Sequence, residues 1–264
     1  MVLFLFLAHL GLGIVLTLAF VSREAGVKFF RFNAGLAAIL IAVAFAFRPA
    51  DDPVTLASRT ALAALILCEA AVILYWATVG RTLRSIRPAV VWTARVSAVV
   101  ALVAQAVALG AGRPLGVQAM TLASVLSSAA LLGGACTAMI LGHWYLVIPS
   151  MQVSHLQSIV KLHIASMVVR VAVVAAVVVF AIATWQPGLG FSFRRYILSI
   201  DGIFFWQRVL FGLFGPALLS YLTWETAKIR ATQSATGILY VDFFTVVVGE
   251  VLAKYILLAT HVPV

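Results

Sequence analysis

Apolar residues run along this chain in continuous stretches of about twenty, the length at which an α-helix crosses a hydrocarbon layer of about 30 Å. The stretches fall at 2–21, 33–47, 57–79, 88–110, 118–147, 157–185, 202–223 and 237–260. The second is the shortest, and it is expected to draw on Phe29–Phe32. Strands of a membrane barrel would alternate apolar with polar residues, and these runs do not alternate. Short connections separate them, and no extramembrane domain is visible. The pattern predicts an all-α polytopic transmembrane bundle of about eight spans, forming a single integral membrane domain over residues 1–264.

Composition strengthens that picture. Hydrophobic residues make up 64% of the chain and charged residues 10%, with a mean hydropathy of +1.14. A soluble domain has about a quarter charged residues. This chain cannot coat a globule with polar groups, so the lipid bilayer is its expected solvent. The formal net charge of +10 would suggest nucleic acid in a soluble protein. Here the basic residues fall between apolar runs, and no basic stripe is available for counterion release, so nucleic acid is not an expected partner. Cys68 and Cys136 lie inside apolar runs and read as buried structural thiols. The first run has no basic lead and no small-residue cleavage site. It reads as a retained first helix rather than a signal peptide.

Lys and Arg set the orientation. Connections one, three, five and seven hold Arg23, Lys28, Arg31, Arg81, Arg84, Arg87, Lys161, Lys228 and Arg230. Connections two, four and six hold Arg48, Arg59, Arg113, Arg194 and Arg195. The positive-inside rule then places the odd connections in the cytoplasm of a bacterial inner membrane, with both termini outside. Span ends are marked by Asp51-Asp52-Pro53, by Pro149 after span five, and by Gln186-Pro187-Gly188 after span six. Thr236-Gly237 is expected to open span eight.

Three constellations carry candidate chemistry. The first is Gly142-His143-Trp144-Tyr145, followed by His155, Lys161 and His163. Adjacent antiparallel helices would put His143 and His163 at similar depth. The pair is then a candidate for the two iron ligands of a b-type haem. The same cluster suits a quinone headgroup, with His and Tyr bonding its carbonyls and Trp144 as a flat wall. A plainer reading makes Trp144 and Tyr145 part of the interfacial aromatic belt and the histidines polar caps near a loop.

The second constellation is the set of ionisable residues inside the spans: Glu69, Arg95, Arg170, Arg208, Glu250 and Lys254. Charge in a bilayer is costly, so each needs a partner or a role. At 1.5 Å per residue, Arg170 and Glu250 lie about 20 Å from the inner ends, and Glu69 about 16 Å. Lys254 follows Glu250 on nearly the same face. Glu69, Arg170, Glu250 and Lys254 are therefore expected to form one cluster, either a proton relay or a structural ion-pair network. Arg170 is expected to pair with Glu250. Arg95 is expected to snorkel to the inner surface and Arg208 outward.

The third is the hydroxyl-rich stretch from Gln233 to Gly237, read as a helix cap that can also complete a headgroup site. With His143, Tyr145 and His163 lining one cavity, Lys161 and Gln233 are expected to border it.

No P-loop, HExxH, GxSxG, Asp-rich prenyltransferase motif, haem-attachment CxxCH or iron–sulfur spacing occurs. Electrons, if they reach this chain, must come from another subunit. The His143-Trp144-Tyr145 cluster, the Gln233–Gly237 segment and the hydropathy of most of the chain resemble the NrfD/DmsC-type quinone-reactive membrane anchors of bacterial respiratory oxidoreductases. That resemblance implies a bundle of about eight helices without a soluble catalytic domain, partnered by redox subunits and contacting quinone. The leading expectation is a membrane subunit of an electron-transfer complex that meets the quinone pool, with or without haem b. An ion or small-molecule transporter and a purely structural anchor are the alternatives.

Overall fold

Helices in this chain start and stop where the local chemistry asks for it. The Thr55 hydroxyl accepts from the Ser58 amide and opens one helix with a reciprocal cap. Pro88 sits in the first turn of the next, where its missing N–H costs nothing, and Gly110 ends it. The computed structural model describes residues 1–49, 55–81, 85–147, 152–184 and 192–264. Within them the helices are α1 (Val2–Thr17), α2 (Gly26–Ala46), α3 (Leu56–Thr78), α4 (Arg87–Leu109), α5 (Leu115–Val147) and α6 (Val153–Thr184). There follow α7 (Phe193–Ile197), α8 (Ile203–Val209), a π-helical turn (Leu210–Phe214), α9 (Gly215–Lys228) and α10 (Thr232–Thr260). Among the described residues there is no strand, and 8 continuous helical stretches are long and apolar enough to cross a membrane. The all-α polytopic architecture expected from hydropathy is the one observed.

Boundaries differ in two places. α2 begins at Gly26 rather than at residue 33, so Lys28 and Arg31 belong to the helix. α10 begins at Thr232, which puts Gln233–Gly237 inside the helix and not before it. The capping role expected of that segment is therefore corrected. Ala231 at the N-cap offers no side-chain bond, and the Thr236 hydroxyl donates back to the Thr232 carbonyl at 2.8 Å. A Thr that satisfies its hydroxyl this way is tolerated within a helix, so polar residues did not mark the helix start. The turn at Asp51-Asp52-Pro53, the break at Pro149 and the stop at Gln186-Pro187-Gly188 lie outside the described residues.

α5 is the most enclosed of the spanning helices. α1 crosses it where glycine meets glycine. A Cβ on Gly13 would fall 2.2 Å from the Ala129 carbonyl oxygen, and one on Gly133 would fall 2.2 Å from the Gly13 carbonyl. Lipid gives helices little hydrophobic reason to associate, so close backbone contact and buried hydrogen bonds hold such a crossing. Thr17 and Thr137 supply one, hydroxyl to hydroxyl at 2.8 Å. α2 and α4 pack on α1, with α3 bridging α2 and α4; α6 and α10 pack on the far side of α5, with α9 bridging those two. Large apolar side chains such as Phe32, Ile39, Val179 and Phe244 stay exposed on the outside of the bundle, as a lipid-facing surface requires.

Candidate functional site

Asp242, Val246, Glu250 and Lys254 recur every four residues and form one buried stripe on α10. Two polar centres are built on it, about 12 Å apart along the helix axis at 1.5 Å per residue.

The first is centred on Glu250. Arg170 of α6 meets it with two bonds, Nε to Oε1 at 2.9 Å and Nη2 to Oε2 at 3.2 Å. Arg208 of α8 donates to Oε1 at 2.8 Å, and Lys254 approaches Oε2 at 3.4 Å. Ser128 of α5 donates to Oε2 at 2.5 Å and accepts from Lys254 at 2.5 Å. Arg170 spends its remaining donors on Ser124, Ser127 and the Val264 carbonyl oxygen. Arg170, Arg208 and Glu250 are wholly buried. Removing one partner from such a group strands a charge, at a cost of about 3–5 kcal/mol.

Arg208 does not snorkel outward as expected. Pro216 has no N–H to offer the Gly212 carbonyl four residues earlier. Arg208 Nη1 supplies the missing donor at 2.7 Å, and its other terminal nitrogen reaches Glu250. The π-helical turn over Leu210–Phe214 marks the same disturbance of the ladder. α10 closes over this turn because both contact residues are glycines. A Cβ on Gly249 would lie 2.1 Å from the Gly212 Cα.

Glu69 does not join the cluster. Its helix, α3, packs on α2 and α4, and Glu69 is only half-buried, with Oε2 lacking a hydrogen-bond partner. Depth along an axis was computable from sequence, but which helices are neighbours was not.

The second centre is His163 of α6, which is wholly buried. Its Nε2 lies 2.5 Å from Asp242 Oδ2 and 3.1 Å from the Ser220 hydroxyl on α9. Ser220 donates its own proton to the Pro216 carbonyl at 2.6 Å, so it faces His163 as an acceptor. Two acceptors at Nε2 place the imidazole proton there. His163 Nδ1 and Asp242 Oδ1 are buried without a hydrogen-bond partner.

Ser220 also forms part of the wall of a groove of about 770 Å³ between α6 and α9. Lys161, Tyr221 and Trp224 line it at one end and Met167 and Val171 further along. It opens to the lipid side, where Val168 and Tyr221 are exposed. Lys161 holds its ammonium 5.2 Å from the Trp224 ring centre, and Lys228 approaches the same ring at 5.3 Å.

His143 and His163 do not line one cavity. His163 packs beside Gly134 of α5, whereas His143 lies further along that helix, by about 13 Å at 1.5 Å per residue. His143 is exposed and takes a bond from, or gives one to, the Tyr240 hydroxyl at 3.1 Å. A haem held between these two imidazoles does not fit the arrangement. Tyr145 is also reassigned. Its hydroxyl donates to the Gln152 carbonyl and accepts the Leu156 amide at 3.2 Å, clamping the ends of α5 and α6 together. Trp144 packs edge-on against Phe29. Gln233 is exposed at the start of α10, and of the residues expected at this site only Lys161 stays beside His163, at the groove.

Sequence reasoning missed Ser220 and the Asp242–His163 pair. The four-residue stripe through Asp242 and Glu250 was a readable signal for the acid. Nothing in the sequence distinguished Ser220 from other hydroxyls in the spans.

Elsewhere in the bundle, His9 of α1 bonds Gln105 of α4 at 3.2 Å, and α1 also packs on α10. Gln105 in turn lines a cavity of about 380 Å³ with Arg48, Arg113 and His261. Comparison with known proteins finds no matching family model, no similar curated protein and no matching solved structure.

Proposed function

We propose that this chain is the membrane subunit of an electron-transfer complex in a bacterial inner membrane, with both termini outside, and that it exchanges protons with a quinone held in the α6–α9 groove. The observation that supports the reading best is Ser220. It sits in the wall of a lipid-open groove and touches a buried imidazole that is paired with a carboxylate. A quinone ring enters such a groove from the bilayer without crossing water, and Trp224 offers it a flat face. Reduction of the ring consumes two electrons and two protons. The electrons come from a partner redox subunit. His163 carries a proton on each ring nitrogen beside the Asp242 carboxylate. It passes its Nε2 proton to Ser220 as Ser220 gives its hydroxyl proton to one quinone oxygen, which leaves a neutral imidazole. The second proton comes from water at the membrane surface. This places the quinone at Ser220, Lys161 and Trp224 and leaves out His143, Tyr145 and Gln233.

The test is fluorescence of Trp224, with the other tryptophans replaced by Phe, during titration with a short-tailed quinone analogue in detergent. Saturable quenching is expected, with affinity about tenfold weaker in His163→Ala. Quenching that does not saturate, or that His163→Ala leaves unchanged, removes the quinone reading. A transporter is the second reading, favoured by the cavity lined by Arg48, Arg113 and His261 and its Gln105–His9 link into the bundle. Uptake of a labelled anion by vesicles containing this chain alone would select it.

A further inference from the structure

A third cavity opens where the α1–α2 connection meets α2, α3 and α4, at the end of the bundle that carries the α1–α2 and α3–α4 connections. It measures about 550 Å³, and Arg23, Arg87, Arg95, Tyr75 and Trp92 stand in its lining. None of the described lining residues is acidic. Glu24, the nearest carboxylate in sequence, is turned away and bonds His155 of α6 at 2.6 Å. All three guanidinium-bearing residues line the same cavity as Tyr75. Arg95 lies 5.9 Å from the Trp92 ring centre, and its Nε is buried without a hydrogen-bond partner. Arg87 also reaches the Thr78 carbonyl at 3.4 Å.

The cavity continues deeper into a narrow apolar slot, with Phe30, Tyr75, Val91 and Arg95 shared between the two. Val15, Ala34, Val72 and Ala94 form the slot walls. The combined shape is amphipathic. A chamber rich in guanidinium groups stands at the membrane surface, and an apolar crevice runs from it toward the hydrocarbon. Arginine forks match phosphate oxygens, and basic pockets between spanning helices recognise anionic lipid headgroups.

We infer that this cavity binds an anionic phospholipid. The phosphate lies among Arg23, Arg87 and Arg95, the Tyr75 hydroxyl bonds the phosphate or its ester oxygens, and the first methylenes of one chain enter the slot. Arg95 is then held in place by its ligand and by Trp92. The inference stands apart from the quinone reading, because none of the five residues lines the α6–α9 groove.

Trp92 is the natural reporter, being exposed beside the guanidinium it faces. The chain, with its other tryptophans replaced by Phe, is reconstituted in vesicles of phosphatidylcholine containing a rising fraction of phosphatidylglycerol with brominated chains. Anionic lipid is expected to occupy the Trp92 neighbourhood about five- to tenfold in excess of its bulk fraction, judged by quenching against brominated phosphatidylcholine. Arg23→Gln with Arg95→Gln should bring that preference to about one, while Arg95→Lys should keep part of it. Thermal unfolding in detergent identifies variants that fail to fold, and for those the measurement rests on Arg95→Lys and on native mass spectrometry of the unaltered chain. Absence of preference in the unaltered chain would overturn the inference, as would full retention in the double Gln variant. Displacement of the lipid by inorganic phosphate at millimolar level, equal to that by glycerophospholipid, would show a soluble-anion site and overturn the lipid assignment.

Discussion

The two centres on α10 are both buried and both built on a carboxylate, yet they differ in how completely that carboxylate and its partners are matched. Around Glu250 both carboxylate oxygens are saturated and all of Arg170's nitrogens are bonded, leaving Arg208 Nε as the buried atom without a hydrogen-bond partner. Its donors come from α5, α6, α8 and α10, so one carboxylate ties together four helices. Around His163 one ring nitrogen and one Asp242 oxygen have no hydrogen-bond partner, and a neighbouring hydroxyl belongs to the wall of an open groove. A carboxylate saturated by donors from four helices resists change because each removal leaves a charge stranded. An unsaturated pair beside a cavity has capacity left for a ligand or a moving proton. The Glu250 centre is therefore the one suited to holding the bundle together, and the proposed proton transfer falls to the His163 centre.

The sharpest way to break this contrast is Glu250→Gln. It leaves Arg170, Arg208 and Lys254 around a neutral amide, and a loss of about 3–5 kcal/mol is expected. Thermal unfolding in detergent and the yield of folded chain report it. Arg208→Gln combined with Glu250→Gln should recover only part of the loss, because the Gly212 carbonyl then loses its donor as well. Normal folding of Glu250→Gln, with loss of proton-coupled activity in the assembled complex, would move this centre from support to relay.

Asp242→Asn should produce the opposite profile. Its side chain keeps an acceptor for His163, so stability should fall by about 1 kcal/mol or less. Quinone-linked proton transfer should fall by about 10²-fold or more, in keeping with loss of a positioned acid–base partner. Single-turnover quinone reduction by the whole complex measures it. A large loss of stability with unchanged turnover would make this pair structural too, and the contrast would vanish.

The smallest effect is expected for His143→Ala. An exposed imidazole that, among the described residues, is hydrogen-bonded to Tyr240 alone should change stability by about 0.5 kcal/mol or less. Quinone-analogue affinity should stay within error of the unaltered chain. A marked loss of binding would return the site to the α5 end where the sequence first suggested it.

Much of the architecture was legible because lipid imposes it. A segment that must satisfy its backbone in hydrocarbon has to be helical, so runs of apolar residues located the spans without any knowledge of neighbours. The ion pair between Arg170 and Glu250 was legible for a related reason. Both residues are too deep to reach water, and matching depths left few alternatives. Glu69 failed the same arithmetic because rise per residue gives height and says nothing about azimuth. Arg208 failed because its direction depends on the carbonyl that Pro216 leaves unbonded, an event visible only when the π-helical turn is seen.

The histidines show where sequence stops. His143 and His163 flank the same connection and were natural partners by proximity in the chain. The fold instead turns His163 inward between α9 and α10, to a serine and an aspartate far away in sequence. What the sequence by itself determined was the helical, membrane-spanning character of the chain, because hydropathy acts residue by residue. Which buried polar groups meet, and which of them border open space, was decided by tertiary structure. That choice depends on helix neighbours and rotations, and these are set by glycine contacts such as Gly13–Gly133 and Gly212–Gly249 acting between distant parts of the chain.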